Sequence, residues 1–107
     1  MDLISQLNEK LKEVSHLTKM LGDYGEKYAH AEHDYKVEIS KEVMVMKDSG
    51  MAATLINLTV YGRPSVAKLR LQRDLADVLY QACQEQINTA KLIIRVLENQ
   101  IEREWRQ

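Results

Sequence analysis

The chain has 107 residues, 15 Lys/Arg against 16 Asp/Glu, a formal charge of −1 and one cysteine. That length bounds it to a single domain, and the near-neutral balance gives no global demand for nucleic acid or a membrane surface. One cysteine excludes an intrachain disulfide, so Cys83 reads as a small buried hydrophobe in a reducing compartment.

Good helix formers dominate, with one proline, no phenylalanine and four glycines, which points to an all-α chain. From residue 2, apolar side chains recur at Leu3, Leu7, Leu11, Val14, Leu17 and Leu21. They continue through Tyr24, Tyr28, Ala31, Tyr35, Ile39, Val43 and Met46. Steps of three and four are the helical period, and the phase holds across Gly22 and Gly25. One long helix, straight or bent, is expected over about 2–47. Its start, "MDLISQLNEK", is acidic and amphipathic, unlike a secretory signal.

"DSG" at 48–50 breaks the pattern. In "MAATLINLTVYG" the β-branched residues favour a strand, but no second strand-like run exists to pair with it. A short helix within 51–61, capped near Ser49 or Thr54 and ended by Gly62, is preferred.

Pro64 then opens the second long helix, expected over about 64–105, because proline suits the first helical position. Its stripe is read as Ala67, Leu71, Leu75, Val78, Leu79 and Ala82, continuing through Ile87, Ala90, Ile94, Leu97, Ile101 and Trp105. The expected fold is an antiparallel hairpin of two long helices with a short middle helix, forming one domain over 1–107.

Two stretches are apolar over more of the helix than one neighbour covers. These are Val43, Met44, Val45 and Met46, and the run Leu92, Ile93, Ile94, Val96 and Leu97. They are the candidate interface of a homo-oligomer. The competing reading is a monomeric bundle in which the middle helix covers both.

Charge is unevenly placed. Residues 1–48 carry −3 and 74–107 carry −2, whereas 49–73 contain no acid and carry +4. In "YGRPSVAKLRLQR", Arg63, Lys68, Arg70 and Arg73 cluster at a helix start, where the macrodipole disfavours cations. One reading is a set of ordinary Arg70–Asp74 and Arg73–Asp77 pairs. The other is a phosphate-binding end, in which arginine forks and free N–H groups grip a polyanion and copies pool their affinity.

Other constellations are weaker. Asp23, Glu26, His30 and His33 share a helix face with metal-ligand chemistry, but a solvated face is the preferred reading. Gly22, Gly25 and Ala29 form a small-residue face that suits either a close helix crossing between subunits or simple tolerance. Tyr24, Tyr28 and Tyr35 fit a base-stacking platform less well than a core. His16 has no partner in sequence. No nucleophile–base arrangement, metal set or phosphate-cradling glycine loop stands out, so no enzymatic activity and no cofactor are expected. No apolar run approaches the ~20 residues of a membrane span, and a cytoplasmic location is expected.

The layout from about residue 25 to 105, with its break at "KDSG" and the run "LRLQRDLADVLYQACQEQINTAKLIIRVLENQIEREW", resembles small helical proteins encoded by phages and prophages beside recombination genes. It is similar, more distantly, to the UvsY-type recombination mediators of bacteriophages. That resemblance implies an all-α oligomer in the bacterial host cytoplasm that binds single-stranded DNA. Its partners would be a recombinase or single-strand-binding protein. Family members contact DNA near the end of the first long helix, a role the resemblance carries here to Lys41 and Lys47 of "KEVMVMKDSG". The alternative function is a protein-interaction scaffold or host-factor inhibitor without DNA binding, docking through the basic 49–73 segment.

Overall fold

The computed structural model describes residues 2–106. Helix α1 spans Leu3–Asp48, α2 spans Ala53–Thr59, a 3-10 turn covers Val60–Gly62, and α3 spans Pro64–Arg106. The expected hairpin of two long helices with a short middle one is observed, and no strand occurs among the described residues. The chain divides into two compact units, Met1–Asp23 with Leu79–Gln107, and Tyr24–Val78.

Local chemistry sets each boundary. Asp2 caps α1: its Oδ1 accepts a hydrogen bond from the Ser5 N–H at 2.7 Å, which holds its carboxyl below the usual range. At the other end, Met51 N–H reaches back to the Met46 carbonyl (3.1 Å) and Gly50 N–H to that of Lys47 (3.0 Å). With Gly50 at φ +83°, this is the paired-bond C-cap that a left-handed glycine permits. The Ser49 hydroxyl donates to the Met46 carbonyl at 2.7 Å, completing α1 rather than capping α2. The N-cap of α2 is Ala52, without a side-chain bond, so the expected caps at Ser49 and Thr54 are not used. Arg63 takes the extended geometry that a following proline imposes (φ −62°, ψ 133°). Its carbonyl accepts the Ala67 N–H at 2.8 Å, so α3 starts at Pro64 as the sequence indicates.

In the Tyr24–Val78 unit, Glu42 of α1 meets Arg63 and Ser65 while Glu32 and Tyr35 meet Arg73, which makes the helices antiparallel. The core there is Tyr35, Met46, Ile56, Val60 and Val66, with Ile39, Val43, Met51 and Leu69 against it. Val66 is 0% exposed and Met46 1%. Ile56 and Val60 are buried while Leu58 between them is 81% exposed, which fits a helical turn and not a strand, where Leu58 would share their side.

In the other unit, Leu17 of α1 and Cys83, Ile87, Ala90 and Leu97 of α3 are buried. The Cys83 thiol donates to the Leu17 carbonyl at 3.4 Å, so it is the buried small residue expected.

The α1 stripe is as read from sequence, except that Leu11 is exposed. The first part of the α3 stripe is not. Ala67, Leu71, Leu75, Val78, Leu79 and Ala82 all face outward. The seam positions are Val66, Leu69, Arg73 and Ala76 in one unit, then Tyr80, Cys83, Ile87, Ala90, Ile94, Leu97 and Ile101 in the other, with Ser65, Asp77 and Gln84 half-buried beside them. These alternate three- and four-residue steps without a break, the seven-residue repeat of a coiled-coil seam. Trp105 falls one residue past that sequence and is 83% exposed.

Truncating Val66→Ala is expected to lower stability by about 2 kcal/mol in urea unfolding. Gly50→Ala should cost about 1 kcal/mol because its φ is left-handed. Gly22→Ala, where an added Cβ meets nothing within 4 Å, should instead gain about 0.5–1 kcal/mol. A loss at Gly22 would reveal a backbone from another copy crossing there.

Candidate functional site

The basic block at the start of α3 finds its negative partner inside the chain. Glu42 presents one carboxylate oxygen to Arg63 Nε (3.1 Å) and the other to the Ser65 hydroxyl (3.3 Å). An acid at the first turn of α3 complements the positive end of the helix dipole, which offsets the unfavourable cation there. The place a phosphate would occupy at this helix start is thus served by Glu42.

Arg73 is also engaged. It lies in the inward seam, its guanidinium 4.5 Å from the Tyr35 ring centre. Asp74 accepts from its Nε at 3.1 Å and its Nη2 at 2.9 Å, and Glu32 lies 3.9 Å away. The hydrogen bonds that Arg73 donates to Asp74 raise its pKa further, against the opposing effect of partial desolvation. The Tyr28 hydroxyl donates to Glu32 at 3.2 Å, and desolvation followed by that bond raises the phenol's pKa. The expected Arg70–Asp74 and Arg73–Asp77 pairs do not form; Arg73 turns to its neighbour Asp74 instead. Lys41, Lys47, Lys68 and Arg70 are exposed, with no ion pair among the described residues.

The candidate interface residues divide the same way. Met46 and Leu97 are buried, Val43 packs on the core, and Ile94 is half-buried, so the chain itself covers these four. Met44, Val45, Leu92, Ile93 and Val96 remain exposed. The middle helix covers Met46 but leaves Met44 and Val45 in solvent, and it exposes Leu58 of its own at 81%. To these the structure adds Leu71, Leu75, Val78 and Leu79, which sequence reading placed inside. The signal that identifies them as outward is the unbroken alternation from Val66 to Ile101, which leaves them no slot.

The face bearing Glu26, His30 and His33 is exposed, with His30 Nε2 3.7 Å from Glu26 and His33 3.3 Å from Asp34; Asp23 and His16 are exposed as well. Among the described residues no group of three or more His, Cys, Asp or Glu side chains is arranged to hold a metal ion. Tyr24 and Tyr28 are half-buried and Tyr35 buried, which assigns them to packing. No helix of the described residues is long and apolar enough to cross a membrane. No family model, curated protein or solved structure matches this chain.

Replacing Glu42 with Ala is expected to cost about 1 kcal/mol by urea unfolding, since it strips the dipole's anion and leaves Arg63 and Ser65 without their acceptor. No loss would mean that the pairing is dispensable.

Proposed function

We propose that the protein performs no chemistry of its own and acts as a helical docking module, whose working surface is the outward side of α3. One observation carries this reading. Arg73 occupies an inward slot while Leu71, Leu75 and Val78 of the same unit stay in water, each more than half exposed. Each aliphatic side chain left exposed forgoes roughly 1.5–3 kcal/mol of possible burial. A partner helix laid along this side recovers that free energy. The outward positions of α1 include Lys12, Lys19, Glu26, His33 and Ser40, which suit water, beside the exposed Ile4, Leu11, Val37, Met44 and Val45.

Installing a photo-crosslinking residue at Leu75 in cells tests this directly. Adducts to protein are expected from position 75 and none from Lys19; equal yields at both would end the reading.

A second reading, single-stranded DNA binding as an accessory to phage recombination or replication, has its own supporting observation. Lys41, Lys47, Lys68 and Arg70, all in the Tyr24–Val78 unit, are exposed cations without an in-chain partner. Gathered in an assembly in the host cytoplasm, they would track a phosphate backbone beside a recombinase or single-strand-binding protein. Arg63 and Arg73 have no part in it.

Anisotropy of a labelled oligonucleotide across salt provides the check. Changing Lys41, Lys47 and Lys68 together to Ala should weaken binding and flatten the slope of log affinity against log salt by about two to three. Absence of binding at low salt removes this reading and leaves the docking module.

A further inference from the structure

The outward row of α3 between residues 68 and 78 carries one charge, and that charge narrows the choice of partner. Resting on the docking reading above, we infer that this row takes an amphipathic helix of another protein, whose apolar stripe is interrupted by a single Asp or Glu placed opposite Lys68.

The row lies in the Tyr24–Val78 unit. Lys68, Leu71, Leu75 and Val78 follow one another at steps of three, four and three, so they share one side of α3, and all four are exposed. Apolar surface continues on the N-terminal side of Lys68. Ile56, Val60 and Val66 meet in one buried cluster, so the exposed Leu58 and Tyr61 face away from that cluster, as the α3 row does. Lys68 thus stands between two groups of exposed apolar side chains. A helix laid along the row takes water from its ammonium. No acid occurs between residues 49 and 73 to answer it. Asp74 is engaged by Arg73, Asp77 lies half-buried beside the seam, and Lys68 itself has no ion pair among the described residues. An unanswered cation in such a contact offsets what the neighbouring leucines gain, whereas one opposing carboxylate satisfies it. The lysine stem packs its methylenes along the leucines while its ammonium reaches that carboxylate.

The same charge sorts the other occupants. An anionic lipid surface is held by clusters of roughly four to eight cations, and a phosphate backbone by several. This row has one, since Arg70 flanks the seam instead. A second copy does not bring the required acid either. On α1 of the same unit the exposed Val37 and Met44 lie on either side of another cation, Lys41, at steps of four and three. Glu85 is an exposed acid on the outward side of α3 in the other unit. Its neighbours at three and four residues are Gln81, Ala82, Asn88 and Thr89, so no aliphatic stripe encloses it, and it borders a groove together with Lys10. A foreign helix with one acid among aliphatics is the occupant that answers both the leucines and Lys68.

The test measures binding of the full chain to two labelled model helices of about 20 residues by fluorescence anisotropy. Both carry a leucine stripe, and they differ only at its central position, which is Glu in one and Lys in the other. The Glu helix should bind at least tenfold more tightly than the Lys helix. Lys68→Glu should reverse that preference with helicity by circular dichroism unchanged, and Leu75→Lys should weaken both complexes about tenfold. Equal affinity for the two helices, or a preference that ignores Lys68→Glu, overturns the acid opposite Lys68. Binding of neither helix overturns a helical partner. Mapping the segment crosslinked from position 75 in cells gives a second arm. An Asp or Glu within an apolar helical stripe is expected there. A segment of another protein without such an acid, or a link to a second copy of the chain, overturns this partner and leaves the docking surface standing. Only a lack of protein adducts from position 75 removes the docking reading itself.

Discussion

The rotation of α3 about its own axis is set where its first turn is gripped between a hydrophobic cluster and an acid. Val66 fills the pocket made by Met46, Ile56 and Val60, while Glu42 holds Arg63 and Ser65 on either side of the turn. Pro64 fixes the entry angle through its locked φ. These constraints leave one choice for the next inward positions, Leu69 and Arg73, and a seven-residue repeat carries the same seam onward to Ile101. Even the C-cap of α1 serves this arrangement, because Gly50 turns the chain so that Met51 joins the cluster.

The consequence is a helix with two apolar sides. A rotation placing Leu71, Leu75 and Val78 inward would bury more aliphatic surface, yet it would pull Val66 from its pocket. The observed rotation puts Arg73 against Tyr35, where stacking, Asp74 and Glu32 satisfy the guanidinium, so the polar residue is tolerated in the seam. Exposure of the larger aliphatic set then leaves α3 with an apolar outer side, the one proposed above to dock.

The sequence discloses this architecture unevenly, for physical reasons. The α1 stripe is legible because its three- and four-residue steps run unbroken from Leu3 to Met46, although Ile4, Val37, Met44 and Val45 lie outside it and are exposed. Helix ends are legible from Pro64 and Gly50, where backbone geometry permits few residues. The α3 stripe misleads between 67 and 82 because hydrophobicity favours Leu71 and Leu75 over Ala76 and Arg73. Only the register inherited from Val66 decides between them, and that depends on tertiary packing. Likewise, the basic block reads as a site for an external anion. Glu42 is 21 residues before Arg63, and no local pattern connects them. The free cations and exposed aliphatics that remain are what survives once the fold has taken its share of each predicted set.

The inward placement of Arg73 is the point on which the docking surface rests. Nuclear Overhauser contacts from the Tyr35 ring protons report it without reference to any partner. The account predicts contacts to the Arg73 side chain, with Arg73 methylene resonances shifted upfield by the ring, and none to the methyl groups of Leu71 or Leu75 in the same chain. Intrachain contacts from Tyr35 to those leucines instead would show that α3 is turned the other way and that its outward side is not the apolar one.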